Sequence, residues 1–195
     1  MFNLSKKKII VVASVLVAAI LVVGFWFFYF KNNPQANQQN ESTLLKVYFS
    51  NSQQNENQTD CSKVFPVERQ VPKTQAVAFA ALSELLKGPS NEDQAQGYFS
   101  WFSSSTANLL KSVKIENETA YVVFDRTMED LIPGAGSSCG GAELLAELDS
   151  TLKQFSTIKN AVYSFNKNPR WFYGWLQMGC PSIIPKCDSS AFGEK

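Results

Sequence analysis

Four acidic residues in two parts of the sequence could supply the carboxyl groups of an acid and base pair. Asp125, Glu129 and Asp130 follow one another closely, and Glu68 could join them from an earlier segment. Glycoside hydrolysis uses two such groups about 5–9.5 Å apart, one of which must hold a proton. Arg126 lies among the first three, which is typical of a solvated loop. We therefore expect no catalytic residue, and an envelope hydrolase is the third of three hypotheses.

The sequence contains no histidine. Its absence excludes Ser-His and Cys-His nucleophile pairs, histidine general bases and nearly all common catalytic zinc sites. The 195-residue chain has a net charge of +1, and its excess of positive charge comes from lysines near the N-terminus. Because the rest is slightly acidic, we expect no nucleic-acid partner.

A glycine loop from Gly134 to Gly141 precedes a predicted helix and could bind a phosphate at the helix N-terminus. The loop matches neither the G-x-G-x-x-G pattern nor the P-loop. A flexible connection held by Cys139 is the favoured interpretation, and we expect no cofactor and no metal.

Aromatic residues are concentrated near the C-terminus, beside an arginine. The candidate binding patch consists of Arg170, Trp171, Phe172, Tyr173 and Trp175. Tryptophan, tyrosine and arginine are enriched at binding hot spots, and the rings of Trp171, Tyr173 and Trp175 could stack on a sugar. The alternative is that these rings fold back and are buried in the core.

The N-terminus has the pattern of a membrane anchor. Lys6, Lys7 and Lys8 precede an uncharged stretch, residues 9–30, which is long enough to cross a bilayer. The positive-inside rule predicts a cytoplasmic stub at residues 1–8 and an extracytoplasmic remainder. An uncleaved single-pass anchor in the cell membrane is favoured over a removed signal peptide. Residues 31–43 are polar and predict a flexible linker.

The four cysteines all follow the predicted anchor, in an oxidising compartment, so two disulfides are favoured over metal ligands. Three connectivities are possible. We favour Cys180–Cys187, because a short loop that contains proline closes easily, and this leaves Cys61–Cys139.

The part of the chain that must position these residues alternates strands and helices. Residues 71–89 predict a helix with Thr74 as a cap and Gly88-Pro89 as a stop. A second helix is predicted by the periodic apolar residues Leu144, Leu145, Leu148, Leu152 and Phe155.

Five strands are predicted by alternating apolar residues. They lie around residues 45–49, 61–72, 113–115, 120–124 and 159–166. Asn117-Glu118 forms a tight turn between the third and fourth strands, although Glu118 argues against a plain type I′ turn. The predicted order is β-β-α-β-β-α-β.

The order and spacing of several segments resemble the GerMN domain, the sporulation and spore-germination family. The segments are KVYFSN, residues 61–72, the helix end at residues 85–89, Gly97-Tyr98, the hairpin SVKIENETAYVVFD and residues 150–155. The resemblance covers residues 44–168, in one copy. Residues 169–195 are an additional aromatic extension that a disulfide closes into a loop.

The resemblance implies an α/β (α+β type) two-layer sandwich, with two helices on one face of a sheet of three or more strands. It also implies a bacterial envelope module without a catalytic site, for assembly or scaffolding in sporulation or germination. Related domains carry a cysteine at each of the places of Cys61 and Cys139, which supports that pairing.

Three functional hypotheses follow. The first is a non-catalytic, membrane-anchored envelope module that binds a protein partner or assembles with itself. The second is a module that binds cell-wall glycan through the C-terminal aromatic residues, and the third is the carboxylate-based hydrolase.

Overall fold

The computed structural model describes residues 19–29 and 41–193. Residues 19–29 are helical (α1) and their side chains are exposed. No helix within these described residues is both long and apolar enough to span a bilayer. Residues 9–18 and 30 of the predicted anchor (9–30) and residues 31–40 of the predicted linker (31–43) lie outside the described residues. The chain divides into two compact units between Glu41 and Ser42, and the second unit is described below.

The first sheet has three strands in the order β2-β1-β3. Strand β1 (Ser42–Asn51) pairs antiparallel with β2 (Phe65–Pro72), and its last residues pair with the short β3 (Tyr98–Phe99). The side chains of Leu45, Val47 and Phe49 point into the core, as their alternation predicts.

The second sheet also has three strands, in the order β4-β5-β6. Strands β4 (Leu110–Glu116) and β5 (Thr119–Phe124) form the predicted hairpin, and β6 (Asn160–Phe165) runs parallel to β5. A parallel pair needs a long crossover connection, which here contains a helix.

The hairpin turn has the conformation that the sequence argued against. Asn117 and Glu118 have φ values of 49° and 57°, and two positive values are what a type I′ turn requires. The carbonyl oxygen of Glu118 accepts backbone N–H groups from Lys159 at 2.8 Å and Asn160 at 3.1 Å. These bonds to the start of β6 stabilise a backbone conformation that glutamate alone disfavours.

Five further helices are described in this unit. Their bounds are α2 (Val77–Leu85), α3 (Asn91–Ala95), α4 (Met128–Leu131), α5 (Ser138–Lys153) and α6 (Pro169–Trp175). Helix α2 begins later than its sequence pattern suggested. Its cap position is Ala76, whereas the Thr74 hydroxyl accepts the N–H of Ala76 outside the helix. The buried side of α2 comprises Ala78, Ala81, Leu82 and Leu85.

The prediction of a single sheet with both long helices on one face is wrong. Strand β1 does not pair with the second sheet. On the edge of β1 that faces away from β2, Ser50 and Asn51 pair with β3, and α5 lies along the rest. Two side chains of α5 and that of Gln154, the residue after α5, accept N–H groups from this edge. Gln154 accepts from Lys46 at 2.9 Å, Thr151 from Tyr48 at 3.1 Å and Glu147 from Ser50 at 3.2 Å.

These three acceptors are spaced at i, i+4 and i+7, which places them on one side of a helix. The carbonyl oxygen of Lys46 also accepts the Gln154 amide at 2.6 Å. The helix therefore satisfies the edge of β1 with side chains where a further strand would use its backbone.

Replacing Thr151 by valine tests this contact. Thr151 is fully buried, and valine keeps its shape but leaves the Tyr48 N–H without an acceptor. We expect the free energy of unfolding to fall by about 1–3 kcal/mol. Urea unfolding of the two proteins measures the difference. Thr157→Val is the control, because Thr157 is exposed. Equal stability of the two variants would contradict the role given to Thr151.

Candidate functional site

Helix α6 positions the candidate aromatic patch. Asn168 caps the helix by accepting the N–H of Arg170 at 3.0 Å, and Pro169 occupies the first turn. Successive helical residues point about 100° apart. The helix therefore cannot present all five patch residues on one side.

One side of α6 is buried in the core. Phe172 is 0 % exposed, and its ring centroid lies 5.2 Å from that of Phe165, 5.3 Å from Tyr163 and 6.1 Å from Phe124. The hydroxyl oxygen of Tyr173 accepts the backbone N–H of Tyr163 at 3.2 Å. Burial raises the pKa of Tyr173 well above its usual range. Including Phe172 and Tyr173 in a binding patch was therefore wrong, since both belong to the core.

The other side of α6 is accessible. Trp171 is 42 % exposed, and the Arg126 guanidinium carbon lies 4.7 Å from the centroid of its ring. Arg126 is held in turn by Glu129 at 3.0 Å. Arg170 donates to the carbonyl oxygen of Lys186 at 3.0 Å. An arginine close to an indole ring is a cation–π pair, which favours this orientation of the ring by about 0.5–1 kcal/mol at an exposed site.

Trp175 lies between these two environments. It is partly buried, and its ring centroid lies 5.3 Å from that of Phe165 and 5.8 Å from that of Phe172. The exposed surface at α6 therefore consists of Trp171, Arg126 and Arg170, with part of Trp175. We call this surface the Trp171 face.

Two disulfides fix the elements around this face. Cys180 is bonded to Cys187, and Cys61 to Cys139, which are the pairings expected from the sequence. The Cys180–Cys187 disulfide closes the segment that follows α6. In that segment the carbonyl oxygen of Lys186 accepts the hydrogen bond from Arg170. The Cys61–Cys139 disulfide joins the segment before β2 to the first turn of α5.

Two of the candidate carboxylates are paired with cations. Lys111 donates a hydrogen bond to Asp125, and with the N–H and hydroxyl of Thr127 it lowers the pKa of Asp125 to about 2. A carboxyl group with such a pKa is ionised at neutral pH and cannot serve as a general acid. Glu129 is paired with Arg126.

Glu68 belongs to a different sheet from the other candidates. It is exposed on β2, opposite Lys46 of β1, whereas Asp125 directly follows β5 and Asp130 lies in α4. These positions give no support to the hydrolase hypothesis.

The glycine loop is a packed connection. Ser137 caps α5 by accepting the N–H of Gly140 at 3.0 Å. A Cβ atom at Gly134 would lie 2.3 Å from the ring of Trp101, so the indole occupies the space above this glycine. The Ser137 hydroxyl thus already accepts a backbone N–H at the start of α5, which disfavours the phosphate-binding alternative.

Sequence reasoning missed two glutamates on α5. Glu147 is fully buried, and it accepts the N–H of Ser50 at 3.2 Å and the hydroxyl of Ser100 at 2.6 Å. Burial raises the pKa of Glu147 well above its usual range, and burial also raises that of Glu143 one turn earlier. The sequence position of Glu147 could have indicated its burial, because it lies three residues after Leu144 and one before Leu148, among the apolar residues of the predicted helix.

The two small sheets, with α5 along one strand edge, define an α+β domain. Residues 46–163 match the family Germane, described as sporulation and spore germination. Because this match covers more than half of the sequence, the chain belongs to the Germane family. No curated protein matches its sequence.

Two solved structures are similar in fold. One contains the tandem GerMN domains of the sporulation protein GerM from Bacillus subtilis, with 17 % identity, a TM-score of 0.46, and coverage of 65 % of this chain and 40 % of that chain. The other is the first GerMN domain of the same protein, with 18 % identity, a TM-score of 0.42, and coverage of 64 % and 83 %. This chain thus spans less than half of the tandem structure.

Proposed function

We propose that this chain is a non-catalytic, membrane-anchored module of the bacterial cell envelope that binds a protein partner or assembles with copies of itself. In this proposal the N-terminus is cytoplasmic and the Germane domain is extracytoplasmic. A role in sporulation or germination is consistent with the family. The observation that carries the binding role is the exposed Trp171, whose ring centroid lies 4.7 Å from the guanidinium carbon of Arg126.

The physical argument is that a fixed aromatic ring loses little conformational freedom on binding. Tryptophan and arginine are also the residue types that contribute most at protein interfaces. Three cations in or next to the Trp171 face have no acidic partner within 4 Å among the described residues. They are Lys167, Arg170 and Lys186. An acidic surface on the partner would complement them.

Cell-wall glycan binding is the second candidate, and the same exposed ring of Trp171 favours it. The three-ring site that the sequence suggested is reduced, because Tyr173 is buried. A sugar could stack on Trp171 with only part of Trp175 beside it.

Replacing Trp171 by alanine tests the binding role. Because a hot-spot tryptophan contributes about 2 kcal/mol or more, we expect association with the protein partner, or self-association, to weaken by about 30-fold or more. Photo-crosslinking of the full chain in cells, with the crosslinker next to Trp171, identifies the partner. Sedimentation of the purified full chain in neutral detergent measures self-association.

Phe79→Ala is the matched control, because Phe79 is an aromatic residue of similar exposure on α2. It should leave association unchanged. Retention of the full chain on purified cell wall that disappears in the Trp171→Ala variant would overturn the protein-partner proposal in favour of glycan binding.

A further inference from the structure

A buried carboxyl group of α5 lies against the end of β1. Glu147 accepts the backbone N–H of Ser50 at 3.2 Å and is 0 % exposed. Glu143 lies one helical turn earlier, which places it on the same side of α5.

The segment after β3 is bound to the same carboxyl group. Ser100 donates its hydroxyl proton to Glu147 at 2.6 Å, and its oxygen accepts the N–H of Phe102 at 3.0 Å. Residues 98–102 are thus attached to α5 through Glu147. Four of them, Tyr98, Phe99, Ser100 and Phe102, also form one wall of an open cleft of about 600 Å³.

In the part of the chain that the structure describes, neither Glu147 nor Glu143 forms a salt bridge. Strand β1 presents Ser50, and the segment after β3 presents Ser100 and Trp101. The side of α2 that is buried is apolar, and Glu84 of α2 pairs with Lys87. Asp149 on α5 is bound to Tyr163 and Lys153.

A buried carboxylate without a cation is unstable relative to its protonated form, and a second carboxylate nearby increases this effect. We propose that Glu147 holds a proton in the folded protein, and that this proton controls how firmly residues 98–102 and the end of β1 are held against α5. With the proton bound, the buried Glu147 side chain is neutral. When the proton is lost, a carboxylate is buried beside Ser50 and Ser100, with Glu143 one helical turn away.

The direction of the pH effect follows from the raised pKa values of both groups. The folded state binds the proton more tightly than the unfolded state does. The resulting stability is complete below the ordinary glutamate pKa of 4.5 and is lost as the pH rises through the folded pKa. Raising the pH should therefore loosen the wall of the cleft.

The first experiment is thermal unfolding of the full chain in neutral detergent between pH 5 and pH 8. We expect the Tm of the wild type to fall by about 3–8 °C over this range. Glu147→Gln keeps an acceptor for Ser50 and cannot ionise, so its Tm should vary little with pH and exceed that of the wild type at pH 8. The Tm of Glu143→Gln should fall less than that of the wild type between pH 5 and pH 8. Glu56→Gln is the control, because Glu56 is exposed, and its Tm should fall by as much as that of the wild type.

The second experiment follows the proton and the segment directly in the wild type. Carboxyl chemical shifts of Glu147 should titrate well above pH 4.5. Amide exchange at Ser50 and Phe102, corrected for intrinsic rates, should accelerate from pH 5 to pH 8. A wild-type pH dependence that persists in Glu147→Gln, an ordinary titration of Glu147, or unchanged corrected exchange would each refute the proposal.

Discussion

Replacing both Cys61 and Cys139 by serine is expected to lower the free energy of unfolding by about 4–5 kcal/mol. These cysteines are 78 residues apart in sequence. Removing a crosslink over so long a loop greatly increases the conformational entropy of the unfolded chain. The segment before β2 would also lose its attachment to α5. Urea unfolding of the full chain in neutral detergent measures the change.

The Cys180–Cys187 disulfide provides the matched control, since its cysteines are only 7 residues apart. Its replacement by two serines should cost about 2–3 kcal/mol, because the closed loop is short. If the two double variants lose the same stability, or if the short loop matters more, the entropic explanation is wrong.

Replacing Phe172 by alanine is expected to lower the free energy of unfolding by about 3–5 kcal/mol. The side chain is fully buried, and its ring lies near those of Phe124, Tyr163 and Phe165. Alanine leaves a cavity at the contact between α6 and the second sheet. Thermal or urea unfolding of the purified variant measures the loss.

Trp171→Ala is the control at the neighbouring position. Its ring is partly exposed, and its contact with Arg126 is worth about 0.5–1 kcal/mol at such a site. The two variants thus separate stability from binding. A Phe172→Ala protein as stable as the Trp171→Ala protein would mean that α6 is not part of the core.

Much of the second unit could be predicted from the sequence, because its signals are local. The alternation of Leu45, Val47 and Phe49 predicts a strand, and the periodic leucines from Leu144 to Leu152 predict a helix. The family is likewise readable from the order of such segments. The likeness includes the pairing of Cys61 with Cys139.

The division of the sheet could not be predicted in this way. Whether β1 pairs with another strand or with α5 depends on three side chains about one hundred residues away, Glu147, Thr151 and Gln154. Hydrophobic periodicity does not report which backbone edge a polar side chain will meet. The turn at Glu118 is a similar case, because bonds from Lys159 and Asn160 outweigh its local preference.

Composition alone sets the residue types available for function: no histidine, four cysteines and an aromatic extension with arginine. Which of them are accessible depends on how the chain folds. The tertiary structure buries Phe172 and Tyr173 and exposes Trp171, because successive residues of α6 point in directions about 100° apart. It also brings Glu147 to Ser50 and Ser100, because a helix packed on a strand edge gathers groups that are distant in sequence.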